Sequence, residues 1–158
     1  MNGIPNSERT LVFGIGNNGR SDDGLGWNFL DAVSSLNGDI AFEYRYQLQV
    51  EDAELASHYG QVVFVDASVE SLPKGYSFRE CSNAASMSYS THKLDPDSVM
   101  ILAHNLYQAQ TRGFVLAIEG HQWGLGLGLS DRSRENLNKA VSFFLTDFML
   151  SVATNHAI

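Results

Sequence analysis

Residues 11–26 constrain the fold of this chain more than any other segment. A short apolar run, Leu11-Val-Phe, passes into a glycine-rich loop that ends on two adjacent acids, Asp22 and Asp23. After the loop, apolar residues recur with helical spacing. The segment therefore predicts a β-strand, a tight loop and an α-helix, with two carboxylates between the strand and the helix.

The loop matches a nucleotide-binding fingerprint only in part. Gly14-x-Gly16-x-x-Gly19 follows a β-like run, as in dinucleotide-binding domains. In those domains the helix begins within the motif and its N-terminus holds the pyrophosphate. Here Arg20-Ser-Asp-Asp-Gly intervenes, and its carboxylates repel a phosphate. A nucleotide-binding oxidoreductase or transferase is an alternative that the acid pair opposes.

The two acids invite different interpretations. Asp22 precedes the helical pattern, and aspartate is a common N-cap residue, so one interpretation is that Asp22 caps the helix. Capping accounts for one acid only. Asp23 is therefore a candidate for binding a metal ion or for acting as a general base.

Composition limits the class of protein and its partners. With 158 residues and 44% hydrophobic content, the chain predicts one domain over residues 1–158 and a monomer. It has no apolar run of ~20 residues and a polar start, and its only cysteine is Cys81, so we expect a cytoplasmic protein without a membrane partner. A net charge of -8 argues against a nucleic-acid partner.

Alternating apolar patterns predict an α/β fold. Strands are expected at residues 10–15, 40–48, 61–66, 75–81 and 114–119, and helices at residues 26–36, 52–59, from 96, and 133–152. Residues 82–92 and 120–128 read as loops. This order predicts a three-layer αβα sandwich with a mostly parallel sheet of roughly five strands. Ligands of such sheets bind at the carboxyl ends of the strands.

Three residues at that edge form a candidate site. Asp23 follows the first strand, Asp66 ends an apolar strand, and His92 precedes a helix. Alternatively, Asp66 caps a turn and His92 is solvated or capping. Oxygen and nitrogen ligands without a thiolate suit a divalent ion such as nickel or zinc. Cys81 and His92 as nucleophile and base form a further alternative, although nothing near Cys81 lowers its pKa.

The motifs together resemble a known family. Their order is Gly14-Ile-Gly-Asn17, Asp22-Asp-Gly-Leu-Gly26, Val65-Asp-Ala67 and Thr91-His-Lys-Leu-Asp-Pro96. In this order and spacing they resemble the maturation endopeptidases of nickel-iron hydrogenases. The resemblance implies a three-layer α/β sandwich and a protease that removes the C-terminal extension of the hydrogenase large-subunit precursor after nickel insertion.

The resemblance also assigns roles to residues. It implies that Asp23, Asp66 and His92 are the metal-contacting and catalytic residues of an aspartyl-type endopeptidase. Nickel is expected to be presented by the precursor, with zinc or another divalent ion as a substitute. Whether the metal is catalytic or only recognised stays open, as does the general base, which is Asp23, Asp66 or a water between them. A non-catalytic nickel-binding chaperone or docking module for the same precursor is the alternative.

Overall fold

The computed structural model describes residues 9–36, 39–82 and 94–156, with side chains described as far as residue 152. The strands are β1 (Thr10–Ile15), β2 (Ile40–Arg45), β3 (Gln61–Ser68), β4 (Tyr76–Glu80) and β5 (Arg112–Glu119). The helices are α1 (Leu25–Val33), α2 (Glu51–Ser57), α3 (Pro96–Tyr107), α4 (Asp131–Phe143) and α5 (Met149–His156). A 3₁₀ turn (Ser21–Gly24) precedes α1, and a π-helical segment (Phe144–Phe148) joins α4 to α5.

The strands form one five-stranded sheet in the order β2-β1-β3-β5-β4. The pairs β2–β1, β1–β3 and β3–β5 are parallel, and β4 pairs antiparallel with β5 at the edge. The mostly parallel sheet confirms the predicted three-layer αβα sandwich. Among the residues that the structure describes, no helix is long and apolar enough to cross a membrane.

Alternating side chains of the central strands build two hydrophobic cores. Val12 and Val63 contribute to the core under α1, α4 and the π-helical segment, whereas Phe13 and Phe64 contribute to the core under α2 and α3. The rings of Phe13 and Phe64 stack with centroids 5.4 Å apart. Strands buried on both faces consist of continuous apolar runs, which is the pattern that the sequence shows.

The strand ends differ from the sequence prediction near the site. The strand expected to end at Asp66 continues to Ser68, because β3 remains paired with β5 beyond the point where β1 stops. The last β1–β3 pair is Gly14 with Val65. Asp66 therefore lies beside the gap that opens where β1 leaves the sheet.

Close packing of α1 on the sheet requires a glycine. A Cβ atom on Gly26 would lie 2.4 Å from the carbonyl oxygen of Ile15 and 2.6 Å from that of Val65. Both neighbours are strand backbone and cannot rotate away. Gly26 therefore allows the first turn of α1 to sit directly over the carboxyl ends of β1 and β3.

We expect Gly26→Ala to destabilise the protein by at least about 2 kcal/mol, because the added methyl group forces the helix away from the sheet. The control is Gly124→Ala, where an added Cβ has no neighbour within 4 Å and a change within about 0.5 kcal/mol is expected. Urea denaturation of both variants measures the difference. Equal midpoints would show that α1 does not pack as tightly as described.

Candidate functional site

A cleft lies at the carboxyl edge of the sheet, between β1 and β3. In the sheet, β2 lies on one side of β1 and β3 lies on the other. The strand order therefore reverses direction between β1 and β3, which makes this position the topological switch point. Parallel α/β sheets bind their ligands at such points. The cleft has a volume of about 180 Å³, and its lining includes Gly16, Asp23, Gln47 and Asp66.

Asp23 and Asp66 reach the cleft from different elements. Asp23 belongs to the 3₁₀ turn, whose backbone is fixed because the amide of Asn17 donates to the Asp23 carbonyl at 3.0 Å. Asp66 Oδ1 accepts a hydrogen bond from the Ala67 amide at 2.8 Å. Both side chains are partly exposed. The structure thus brings two of the three predicted site residues to one cleft.

His92, the third predicted site residue, lies outside the described residues. Within the described ranges, no group of three or more histidine, cysteine, aspartate or glutamate side chains is placed to hold a metal ion. Carboxylate oxygens such as those of Asp23 and Asp66 are of a kind that a nickel or zinc ion accepts. The metal-ligand role of Asp23, Asp66 and His92 stays a prediction.

Asp95 is an additional acidic residue of the cleft, and no sequence pattern identified it as a site residue. It lines the cleft together with Leu94 and Pro96. It is also the N-cap of α3, where its Oδ1 accepts a hydrogen bond from the Ser98 amide at 2.7 Å. The sequence predicts the start of this helix at residue 96, but neither the cap nor the position of Asp95 in the cleft.

The glycine loop uses its amides within the protein. The amides of Gly16 and Ser21 donate to the carbonyl oxygens of Arg45 and Gly126, both at 2.9 Å. The Gly19 amide donates to Asn17 Oδ1 at 2.9 Å. A phosphate-binding loop instead directs such amides at its ligand. These contacts argue against the nucleotide-binding alternative.

Asp22 does not cap a helix, so that interpretation was wrong. The N-cap residues of the 3₁₀ turn and of α1 are Arg20 and Gly24, and neither makes a side-chain capping hydrogen bond. The Asp22 side chain is instead fully buried, at 0% exposure. Its carboxylate accepts five hydrogen bonds of 2.7–2.8 Å, from the amides of His121, Gln122 and Ser130 and from the hydroxyls of Ser130 and Ser133.

These donors determine the charge state of Asp22. Burial by itself would raise the pKa of this carboxyl group. The hydrogen bonds outweigh burial, with Ser133 contributing most among them, and lower the pKa of Asp22 to about 2. Asp22 is therefore a buried carboxylate that ties the 3₁₀ turn to the loop after β5 and to the start of α4.

Cys81 is a poor nucleophile in this structure. It follows β4, at the opposite end of β5 from the cleft, and lines a separate pocket of about 340 Å³ with His104 and Arg112. Burial raises the pKa of the Cys81 thiol to about 12. A protonated thiol does not attack a carbonyl group, so the structure does not support the cysteine alternative.

We expect Asp22→Asn to destabilise the protein by at least about 2 kcal/mol at neutral pH, because the new amide group turns N–H donors towards other donors. The distant, exposed Asp147→Asn serves as the matched control, with no more than about 0.5 kcal/mol lost. Chemical denaturation measures both variants.

The stabilisation of the folded protein by Asp22 should decrease as the pH falls. Because the folded-state pKa of Asp22 is depressed, its stabilising effect is complete above about pH 4 and is lost as the pH falls through about 2. The difference in the free energy of unfolding between wild type and Asp22→Asn should therefore decrease by about 2 kcal/mol as the pH falls over that interval. A difference that stays constant with pH would contradict a buried, ionised Asp22.

Comparison with known proteins relates this fold to one group of enzymes. No protein-family model matches the sequence, and no curated protein matches it. The hydrogenase maturating endopeptidase HybD from E. coli superposes with a TM-score of 0.73 at 16% identity, over 90% of this chain and 93% of that one. The [NiFe] hydrogenase maturation protease HycI from Thermococcus kodakarensis gives a TM-score of 0.68 at 21% identity, over 87% and 90%.

A hydrogenase 2 maturation peptidase from a Thaumarchaeota archaeon is also similar, with a TM-score of 0.66 at 20% identity over 90% of this chain and 99% of that one. The likeness in each case covers most of both chains. The chain therefore has the fold of hydrogenase maturation endopeptidases, and the structural resemblance expected from its motifs is confirmed.

Proposed function

We propose that this protein is an endopeptidase that removes the C-terminal extension of a nickel-loaded hydrogenase large-subunit precursor. The observation that carries the proposal is the shared fold with maturation peptidases over about nine-tenths of the chain. The position of Asp23 and Asp66 in one cleft at the carboxyl edge of the sheet supports it. A fold alone does not determine an activity, so these acids are the specific support.

Nickel enters this proposal as part of the substrate. The carboxylates of Asp23 and Asp66, with the imidazole of His92, are the groups proposed to contact the metal of the precursor. Oxygen and nitrogen donors of this kind suit a borderline divalent ion. Both carboxylates are partly exposed, so an ion that arrives on another protein has access to them.

The proposed chemistry is hydrolysis of one peptide bond. A carboxylate of the cleft takes a proton from a water molecule, whose oxygen then attacks the scissile carbonyl carbon. The bond to nitrogen breaks, and the leaving amine receives the proton. A metal ion bound to the precursor would polarise the carbonyl group and lower the barrier by several kcal/mol.

We expect Asp23→Asn and Asp66→Asn each to reduce cleavage of the nickel-loaded precursor by at least about 100-fold, because an amide is neither a metal-binding anion nor a base. The mobility shift of the precursor on a denaturing gel measures cleavage, and thermal unfolding checks that both variants fold. Asp147→Asn, on an exposed residue of the π-helical segment that does not line the cleft, is the control and should cleave normally.

Two results would contradict the proposed mechanism. One is full processing by the Asp23 and Asp66 variants. The other is equal processing of the nickel-free precursor by the wild-type protein. Binding of the nickel-loaded precursor without cleavage would instead identify a chaperone or docking module.

We expect the isolated protein to bind nickel or zinc weakly and reversibly, because three mixed ligands leave coordination positions open. Isothermal titration calorimetry with nickel chloride should show one-site binding for the wild type, and His92→Ala should abolish it. The control is His58→Ala, on an exposed residue at the end of α2. Identical isotherms for wild type and His92→Ala would remove His92 from the site.

A further inference from the structure

The loop formed by residues 120–130, between β5 and α4, presents apolar side chains to solvent. Leu125 is 83% exposed and Leu127 is 89% exposed, the highest values among the large hydrophobic residues that the structure describes. The loop contains no aspartate, glutamate, lysine or arginine. We call it the leucine loop. Exposed leucines on a segment without charged side chains are candidates for binding a partner.

Hydrogen bonds fix the leucine loop to the rest of the protein. The Gly126 amide donates to the Gly19 carbonyl at 3.0 Å, and Ser21 donates to Gly126 and Gly124 through its amide and hydroxyl, both at 2.9 Å. Asp22 binds the loop at both ends, through His121 and Ser130. The leucines are therefore held on a fixed backbone, which reduces the ordering entropy lost when a partner binds.

The leucine loop also adjoins the cleft. Its middle lies along residues 19–22, and the next residue, Asp23, lines the cleft. A protein whose chain enters the cleft must place part of its own surface against the neighbouring loops. The exposed leucines flank Gly126, which is bonded to the segment immediately before Asp23.

We propose that the leucine loop is a docking surface for the folded body of the precursor, which binds Leu125 and Leu127 through an apolar patch beside its cleavage segment. This inference rests on the proposed function, because that function requires a folded protein to approach the cleft. The net charge of -8 and the acidic residues of the adjoining cleft favour a partner whose surface is neutral or basic around its apolar patch.

A protein partner fits these observations better than a lipid surface. The net charge of -8 repels anionic membranes, which would otherwise take up exposed leucines. The acidic cleft next to the loop adds to this repulsion. A folded protein with a local apolar patch avoids the repulsion because only that patch needs to match the loop.

The test compares two pairs of leucine-to-serine substitutions. Leu125→Ser/Leu127→Ser changes the leucine loop, and Leu106→Ser/Leu150→Ser changes two leucines that are exposed elsewhere, on α3 and α5. For the nickel-loaded precursor, the loop variant should raise KM by at least about ten-fold with kcat within about two-fold of wild type. The control variant should leave both constants unchanged. Pull-down of the precursor provides a readout that does not need cleavage.

Each outcome separates docking from proteolysis. Normal cleavage with an unchanged KM in the loop variant overturns the docking proposal and leaves the protease proposal intact. Precursor binding that depends on the leucines, without cleavage, supports docking and contradicts proteolysis. Absence of both binding and cleavage in the wild type overturns both proposals. Two further results, each without precursor binding, also overturn docking because they assign the loop to another occupant. One is leucine-dependent sedimentation with anionic vesicles, and the other is leucine-dependent dimerisation in analytical ultracentrifugation.

Discussion

The arrangement of the elements at the carboxyl edge of the sheet depends on the hydrogen bonds that the buried carboxylate of Asp22 accepts. Removing a carboxylate from water costs several kcal/mol unless hydrogen bonds replace its hydration. Here the replacing donors come from residues 121–133, about a hundred positions later in the sequence. The 3₁₀ turn, the leucine loop and the start of α4 are thus fixed relative to one another by one charged group. The cleft residue Asp23 and the exposed leucines both belong to this assembly.

Adjacent acids have different roles because their surroundings differ. Asp22 is fully buried and surrounded by donors, whereas Asp23 is partly exposed at the cleft. Carboxylates that share a cleft, such as those of Asp23 and Asp66, repel one another, and a bound cation offsets that repulsion. A metal ion carried by a substrate, as proposed, would offset this repulsion. The glycine loop after β1 does not bind a phosphate in the manner of a nucleotide-binding loop, because its amides donate within the protein.

The strand order brings these groups together although they are far apart in the sequence. Asp23 follows β1, and Asp66 lies one residue beyond the last pairing of β1 with β3. The gap between these strands is lined by both carboxylates and by the N-cap residue Asp95. Gly26 allows α1 to approach this gap at backbone contact distance. The site is therefore a consequence of sheet topology and close helix packing.

The sequence by itself determined the layers of the fold, because apolar periodicity distinguishes buried strands from amphipathic helices. It also predicted that Asp23 and Asp66 lie at the carboxyl edge, because a residue that follows a parallel strand always emerges there. Only the tertiary structure decided that Asp22 is buried and that Asp95 lines the cleft. Local patterns identify Asp22 only as a capping candidate, because the donors that surround it are distant in sequence. Burial, shared clefts and long-range hydrogen bonds depend on which distant segments are in contact. The periodicity of a single sequence does not show those contacts.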